Sequence, residues 1–257
     1  MLLAFDIGNT NVVAGLFEGE ALRAEMRVST ARDRTADEWL VLWESLLRVR
    51  GYALTDVGGA CIASVVPGLI APFQAWLGAV KVPTVTCRGD MALGVGVDVD
   101  NPSEVGIDRI LNCVAAKHLY GAPAIVVDMG TATTFDVLSR DGDYVGGAIA
   151  PGMGVSVDAL VGGTSQLRRV PLVRPARSIG RNTVACLQSG AIFGYTALVE
   201  GLVGRLRQEL GYEVSVIATG GLASLIVPET TVFTHVDGDL TLHGIRLAWS
   251  RISGGLA

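Results

Sequence analysis

The chain repeats itself. Leu2-Leu3-Ala4-Phe5 is an apolar run ending in Asp6-Ile7-Gly8-Asn9-Thr10, and Ala124-Ile125-Val126-Val127 is another ending in Asp128-Met129-Gly130-Thr131. The two aspartates are separated by close to half of the 257 residues. Self-similarity on that scale points to two copies of one folding unit. The pattern continues after each aspartate. In the first half, strands are expected over Asn11–Phe17 and Ala21–Val28 around the turn Glu18-Gly19-Glu20. In the second, they are expected over Thr134–Leu138 and Tyr144–Ile149 around Asp141-Gly142-Asp143. Glycine at each turn supplies the positive φ of a tight hairpin.

Helices follow the strands. Thr35-Ala36-Asp37-Glu38 is a capping box, and Trp39, Leu42, Trp43, Leu46 and Leu47 recur at helical spacing behind it. Ile107 to Tyr120 reads as a second helix, stopped by Gly121. Thr183 to Leu210 is a long third one, ending at Gly211 and bent near Gly190 or Gly194. Val214–Ala218 is a short strand before Thr219-Gly220-Gly221. The order β-β-β-α, repeated with β/α units between, predicts an α/β protein of two similar domains with mixed sheets, facing one another. The boundary is placed near 114–122, giving domains 1–115 and 116–257. No Pro- or Ser-rich linker separates them.

Composition narrows the function classes. Half the residues are hydrophobic and 18% are charged, enough to bury a sizeable core without disulfide or metal staples. The formal charge is −5, and the longest basic cluster is Arg168-Arg169, which argues against a nucleic-acid partner. Cys61, Cys87, Cys113 and Cys186 show no metal spacing and read as small buried residues of a reducing compartment. His118, His235 and His243 are scattered and read as structural. The N-terminus lacks a basic region ahead of its apolar run, so no signal peptide is expected. Val57 to Val80 is uncharged and long enough to span a bilayer, but glycines and prolines break it. It is expected to form a strand over Ala60–Val66 and a helix from about Pro67. No membrane association is expected, and the compartment is read as cytoplasmic.

An aspartate at a strand end, then glycine, then a hydroxyl residue is a device for phosphate and cation. Glycine admits an anion close to the backbone. N–H groups and Ser/Thr hydroxyls cradle phosphate oxygens, and the carboxylate faces the accompanying cation. One such motif is often only a turn; two at matching places suggest a phosphate clamped from both sides.

The paired motifs resemble those of the actin, hexokinase and acetate kinase superfamily, whose ribonuclease H-like domains bind ATP in the cleft between them. Further segments resemble type III pantothenate kinases in particular. These are Arg34-Thr35-Ala36-Asp37-Glu38, Asn101-Pro102-Ser103-Glu104-Val105-Gly106-Ile107-Asp108-Arg109, Gly146-Gly147-Ala148-Ile149-Ala150-Pro151-Gly152 and Gly180-Arg181-Asn182-Thr183 with Gln188-Ser189-Gly190. They occur in family order across nearly the whole chain.

The resemblance implies a kinase that phosphorylates the primary hydroxyl of pantothenate, the first step toward coenzyme A. Asp108 would accept the hydroxyl proton; its plain alternative is a carboxylate at a helix N-terminus. Arg109 would pair with the substrate carboxylate, since a guanidinium fits it bidentately; its alternative is an ion pair with Glu104 or Asp108. Gly106 and Ile107 would line the same pocket. Asp6, Ile7, Gly8, Asn9, Thr10, Asn11, Val12 and Val13 would cradle the ATP phosphates, with Asp6 on the Mg2+ side. Gly130 and Thr131 would also contact ATP, and Asp128 would hold a monovalent cation, K+ or NH4+. Thr183 would reach pantothenate across a homodimer interface; its alternative is an N-cap. The family commonly has tyrosine two residues before the Asn-Pro pair in the pantothenate pocket, where this chain has Val99. Two other readings stay open: a kinase of the same fold with another hydroxylated acceptor, and a non-catalytic nucleotide-binding regulator.

Overall fold

The computed structural model describes residues 1–254, so the last three residues of the expected second domain lie outside the described residues. The chain forms two compact units. The first takes residues 1–96, 100–115 and those from 240 onward; the second takes 97–99 and 116–239.

In the first unit, β1 (Leu2–Ile7), β2 (Asn11–Glu18), β3 (Ala21–Ser29), β4 (Gly59–Ser64) and β5 (Thr84–Thr86) form one sheet in the order β3-β2-β1-β4-β5. The first three strands are an antiparallel meander, and β4 and β5 join in parallel. Parallel joins need crossovers, and α1 (Ala36–Val49) and α2 (Pro67–Ala79) supply them. In the second unit, β6 (Ala124–Met129), β7 (Ala132–Leu138), β8 (Tyr144–Pro151), β9 (Ser215–Thr219) and β10 (His235–Val236) adopt the order β10-β9-β6-β7-β8, with the same directions of pairing. Counted from β6, this is the first sheet again. The duplication expected from the two aspartates is therefore present strand for strand.

The local signals act where the residues place them. Thr35 Oγ1 accepts from Glu38 N–H while Glu38 Oε2 accepts from Thr35 N–H, so the capping box closes and α1 begins. Pro67 opens α2, and the uncharged stretch 57–80 resolves into β4 and α2. α3 (Ile107–Leu119) stops before Gly121, whose φ is 85°. After α4 (Met153–Gly162), a helix the pattern did not reveal, residues 183–210 run as α5 (Thr183–Ser189), a π-turn over Gly190–Gly194 and α6 (Tyr195–Leu210). The irregularity expected near Gly190 or Gly194 thus spans both. Gly211 ends the helix in the left-handed region, at φ 67°. Two further helices complete the chain, α7 (Ala223–Ile226) and α8 (Leu240–Ile252).

β1 and β4 are buried on both faces and need cover on both. On one side Leu3, Phe5 and Ile7 meet α1 and α2; the Phe5 ring lies edge-on 5.1 Å from both Trp43 and Phe73. The other side is covered by α8, where Leu242 packs on Gly15, Trp249 on Gly59 and the His243 ring lies 5.7 Å from Phe17. The sequence pattern groups this helix with the second half, yet it closes the first sheet. In the second unit Ile125, Val127 and Met129 pack against Ile192, Tyr195, Val199 and Val203 of the long helix. By length and composition, residues 183–210 are the one helix among the described residues able to cross a membrane.

Cys61, Cys87 and Cys113 are buried as expected. Cys186 is exposed, because α5 buries none of its residues.

Candidate active site

The first aspartate motif is a preset turn. Strand alternation puts Asp6 on the face opposite Phe5 and Ile7, half-buried at the end of β1. Gly8 N–H donates to Asn11 O at 3.0 Å, which leaves Asn9 and Thr10 exposed at the tip. Thr30, just past β3, pins the turn. Its hydroxyl donates to Gly8 O at 2.6 Å and its N–H to Thr10 O at 2.9 Å.

Asp108, in the first turn of α3, comes to the same carboxyl end of the sheet beside β4. Because β1 and β4 are parallel, their carboxyl ends adjoin, and Val65 N–H donates to Ile7 O at 3.1 Å. A Cβ on Gly106 would lie 3.8 Å from Val65 Cγ1 and 2.5 Å from Asp108 Oδ1. The carboxylate thus occupies space that only glycine leaves open. Asp108 Oδ1 also accepts from Arg109 N–H at 2.9 Å. Burial pushes the Asp108 carboxyl above its ordinary range; the Arg109 N–H and guanidinium pull it down without offsetting burial. A raised carboxyl suits a proton acceptor. Ile107 is buried beside it and Arg109 is half-buried.

The second motif is not an exact copy. Asp6 pairs with Val13, but Asp128 pairs with Thr134, so the second turn is one residue shorter. Gly130 N–H donates to Ala132 O at 3.0 Å, and Thr131 O accepts from Gly152 N–H at 3.2 Å. Thr131 is exposed. Thr133 is fully buried and hydrogen-bonded to the Tyr195 hydroxyl, a packing role. The turn Thr219-Gly220-Gly221 lies against Asp128: a Cβ on Gly220, whose φ is 91°, would collide with Asp128 Oδ1. Leu222 N–H bonds back to Met129 O at 3.1 Å.

Among the described residues no group of three or more His, Cys, Asp or Glu forms a metal cage. Asp6 belongs to the first unit and Asp128 to the second. Single carboxylates fit cations that arrive with phosphates, since Mg2+ keeps its waters and binds one or two carboxylates plus substrate oxygens.

The remaining candidates divide between the units. Residues 106–109 belong to the first, whereas Val99 belongs to the second. There, Val97 bridges to Tyr144 of β8, Asp98 N–H donates to Tyr144 O at 2.9 Å, and Val99 Cγ1 lies 4.0 Å from where a Gly146 Cβ would stand. Thr183 is exposed and is not the N-cap. Asn182 takes that position, its Oδ1 accepting from Ala185 N–H at 2.9 Å. Gln188 and Ser189 donate to Pro171 O at 3.1 Å and to Ser178 O at 2.6 Å, so both anchor the preceding loop. Sequence reasoning missed Thr30 and Val65, whose roles rest on bonds to residues far along the chain.

Comparison with known proteins fits this geometry. The model of the type III pantothenate kinase family matches residues 2–205. A type III pantothenate kinase of Thermomicrobium roseum is 51% identical over 257 residues, covering 100% of this chain and 99% of that protein. One of Moorella thermoacetica is 48% identical, covering 98% and 99%. Among solved structures, a protein described as a conserved Baf family transcriptional activator from Campylobacter jejuni superposes with a TM-score of 0.62 at 18% identity, covering 98% of this chain and 99% of that one. An activator of a 2-hydroxyisocaproyl-CoA dehydratase from Clostridium difficile, with bound ADPNP, gives 0.53 at 12% identity, covering 98% and 96%. At those identities the structures speak for the fold alone, whereas the sequence matches run the length of the chain, and the chain belongs to the type III pantothenate kinase family.

Proposed function

We propose that this protein transfers the γ-phosphoryl group of ATP to the primary hydroxyl of pantothenate, forming 4'-phosphopantothenate for coenzyme A synthesis. The observation that carries the reading is the placement of Asp108: its carboxylate fills the space left by Gly106, accepts from Arg109 N–H and stands at the carboxyl end of the sheet that carries the preset Asp6-Ile7-Gly8 turn, with burial acting to raise its pKa. Asp108 takes the hydroxyl proton as the new O–P bond forms and the bond between the γ-phosphorus and the β–γ bridging oxygen breaks. Phosphoryl transfer asks little covalent help of the protein, so positioning and charge neutralisation carry the rest.

Asp6 through Val13 hold the phosphates of Mg-ATP, with Asp6 on the metal side. Gly130 and Thr131 add a second turn, and Asp128 holds K+ or NH4+. Arg109 takes the pantothenate carboxylate, with Gly106, Ile107 and Val99 lining that pocket. The working form is a cytoplasmic homodimer in which Thr183 reaches the neighbour's pantothenate, a role its exposure supports. Val99 favours one second reading, a kinase with another small hydroxylated acceptor, because valine lacks the hydroxyl and ring of the family's usual tyrosine. A coupled assay of ADP release with and without pantothenate tests the proposal. Turnover that needs pantothenate supports it; turnover indifferent to pantothenate, or none, rejects it.

A further inference from the structure

The residues between β3 and α1 are not spent on connecting the two. Thr30 pins the first phosphate turn through both its hydroxyl and its N–H. Two residues on, Arg32 reaches back to that turn, and its Nη2 donates to Asn9 Oδ1 at 2.9 Å. Arg34 turns the other way, its guanidinium 5.0 Å above the Trp39 ring, and Thr35 closes the capping box. The segment is thus tied at both ends, and Arg32 stands exposed beside the exposed tip Asn9-Thr10.

The choice of partner is informative. Arg23, Arg27, Arg88, Arg169 and Arg174 each pair with a carboxylate. Arg32 has Asp33 next to it in sequence, yet it binds the neutral amide of Asn9. Its positive charge is therefore delivered to the tip of the phosphate turn through a neutral amide rather than an ion pair. One of its five donors holds Asn9 in place. A guanidinium so oriented matches a phosphate in both geometry and charge. The chain holds two lysines, Lys81 and Lys117, and neither lies near the turn in sequence.

Resting on the kinase reading above, we infer that Arg32 is a further nucleotide-binding residue, which takes a non-bridging oxygen of the ATP polyphosphate beside Asn9. The test measures binding to the full chain in the presence of Mg2+, using ATP and adenosine as separate probes, for wild type and Arg32→Gln. Arg32 is exposed, and unchanged thermal unfolding shows that the variant folds. Loss of one charge-assisted hydrogen bond should weaken ATP roughly tenfold or more, while adenosine affinity stays within about twofold. An equal loss for both probes would overturn the inference, and so would an Asn9→Ala background in which Arg32→Gln costs no further ATP affinity, which would leave Arg32 as a brace for the turn that holds the phosphates. No loss for either would also overturn it. A wild-type chain without affinity for Mg-ATP would instead overturn the kinase reading, an outcome separate from any effect of the variant.

Discussion

Gly106→Ala adds one methyl group directly against the Asp108 carboxylate. The new Cβ would stand 2.5 Å from Asp108 Oδ1, where real contacts need at least 3.0 Å. Gly106 has no positive φ, so alanine meets no backbone penalty. The strain is relieved through the side chain it touches, and the carboxylate must retreat by roughly 0.5 Å in an interior that yields little. The oxygen displaced is the one bonded to Arg109 N–H. Misplacing a catalytic group by about 1 Å can cost around 10²-fold, so half of that predicts a loss of roughly tenfold in kcat. Stretching the Arg109 bond also removes a contact that lowers the Asp108 pKa. The acid limb of the pH profile should therefore move to higher pH. A coupled assay over pH reads both effects, and KM for ATP should stay within about threefold because the turn at Gly8 is untouched. In the double variant with Asp108→Asn, the alanine should add almost nothing, since its effect runs through the missing carboxylate. A Gly106→Ala enzyme within twofold of wild-type kcat, with an unmoved acid limb, would refute the reasoning.

Four other outcomes are expected. Asp108→Asn should lower kcat by about 10²–10⁴-fold yet raise Tm at neutral pH. Burial raises the folded pKa, so between the unfolded and folded pKa values the native state keeps a proton that the unfolded state has released, and the stability lost as pH rises through that window stays lost above it. The Tm advantage should then shrink as pH is lowered below that window, and a Tm difference of opposite sign at pH 7 would count against the buried carboxylate. Asp128→Ala should abolish activation by K+ or NH4+ over Na+, and equal wild-type rates in the two salts would exclude a monovalent site. Val99→Tyr should lower KM for pantothenate by roughly 2- to 12-fold, the value of one neutral hydrogen bond; an unchanged or raised KM would show a pocket built around valine. Co-expressed Asp108→Asn and Thr183→Arg should recover roughly a quarter of wild-type activity in a two-fold dimer whose sites are shared, because half the dimers are mixed and each has one intact site. Size-exclusion must first show that both dimerise, after which no recovery would reject the shared site.

Much of this molecule is decided by neighbours in sequence. The capping box at Thr35, the stops at Gly121 and Gly211 and the two strand ends Asp6-Ile7-Gly8 and Asp128-Met129-Gly130 depend on φ, on side chains three residues apart and on alternation. Those are local quantities, and the structure shows each where the residues placed it. The duplication was legible for the same reason, because both halves carry the same local order. What the sequence could not show is which distant surfaces meet. α8 closes the first sheet because β1 and β4 are apolar on both faces, a need that is invisible until the strands lie side by side. Asn182 takes the cap that Thr183 could equally have taken, and only backbone geometry chooses between adjacent capping residues. Val65 bonds the end of β1 and lies beside Gly106, and Arg32 reaches Asn9, through parallel strand pairing and a loop that returns on itself. The sequence named the aspartates, but only tertiary packing placed Asp108 where burial raises its pKa, because desolvation depends on everything folded around the group and not on the residues beside it.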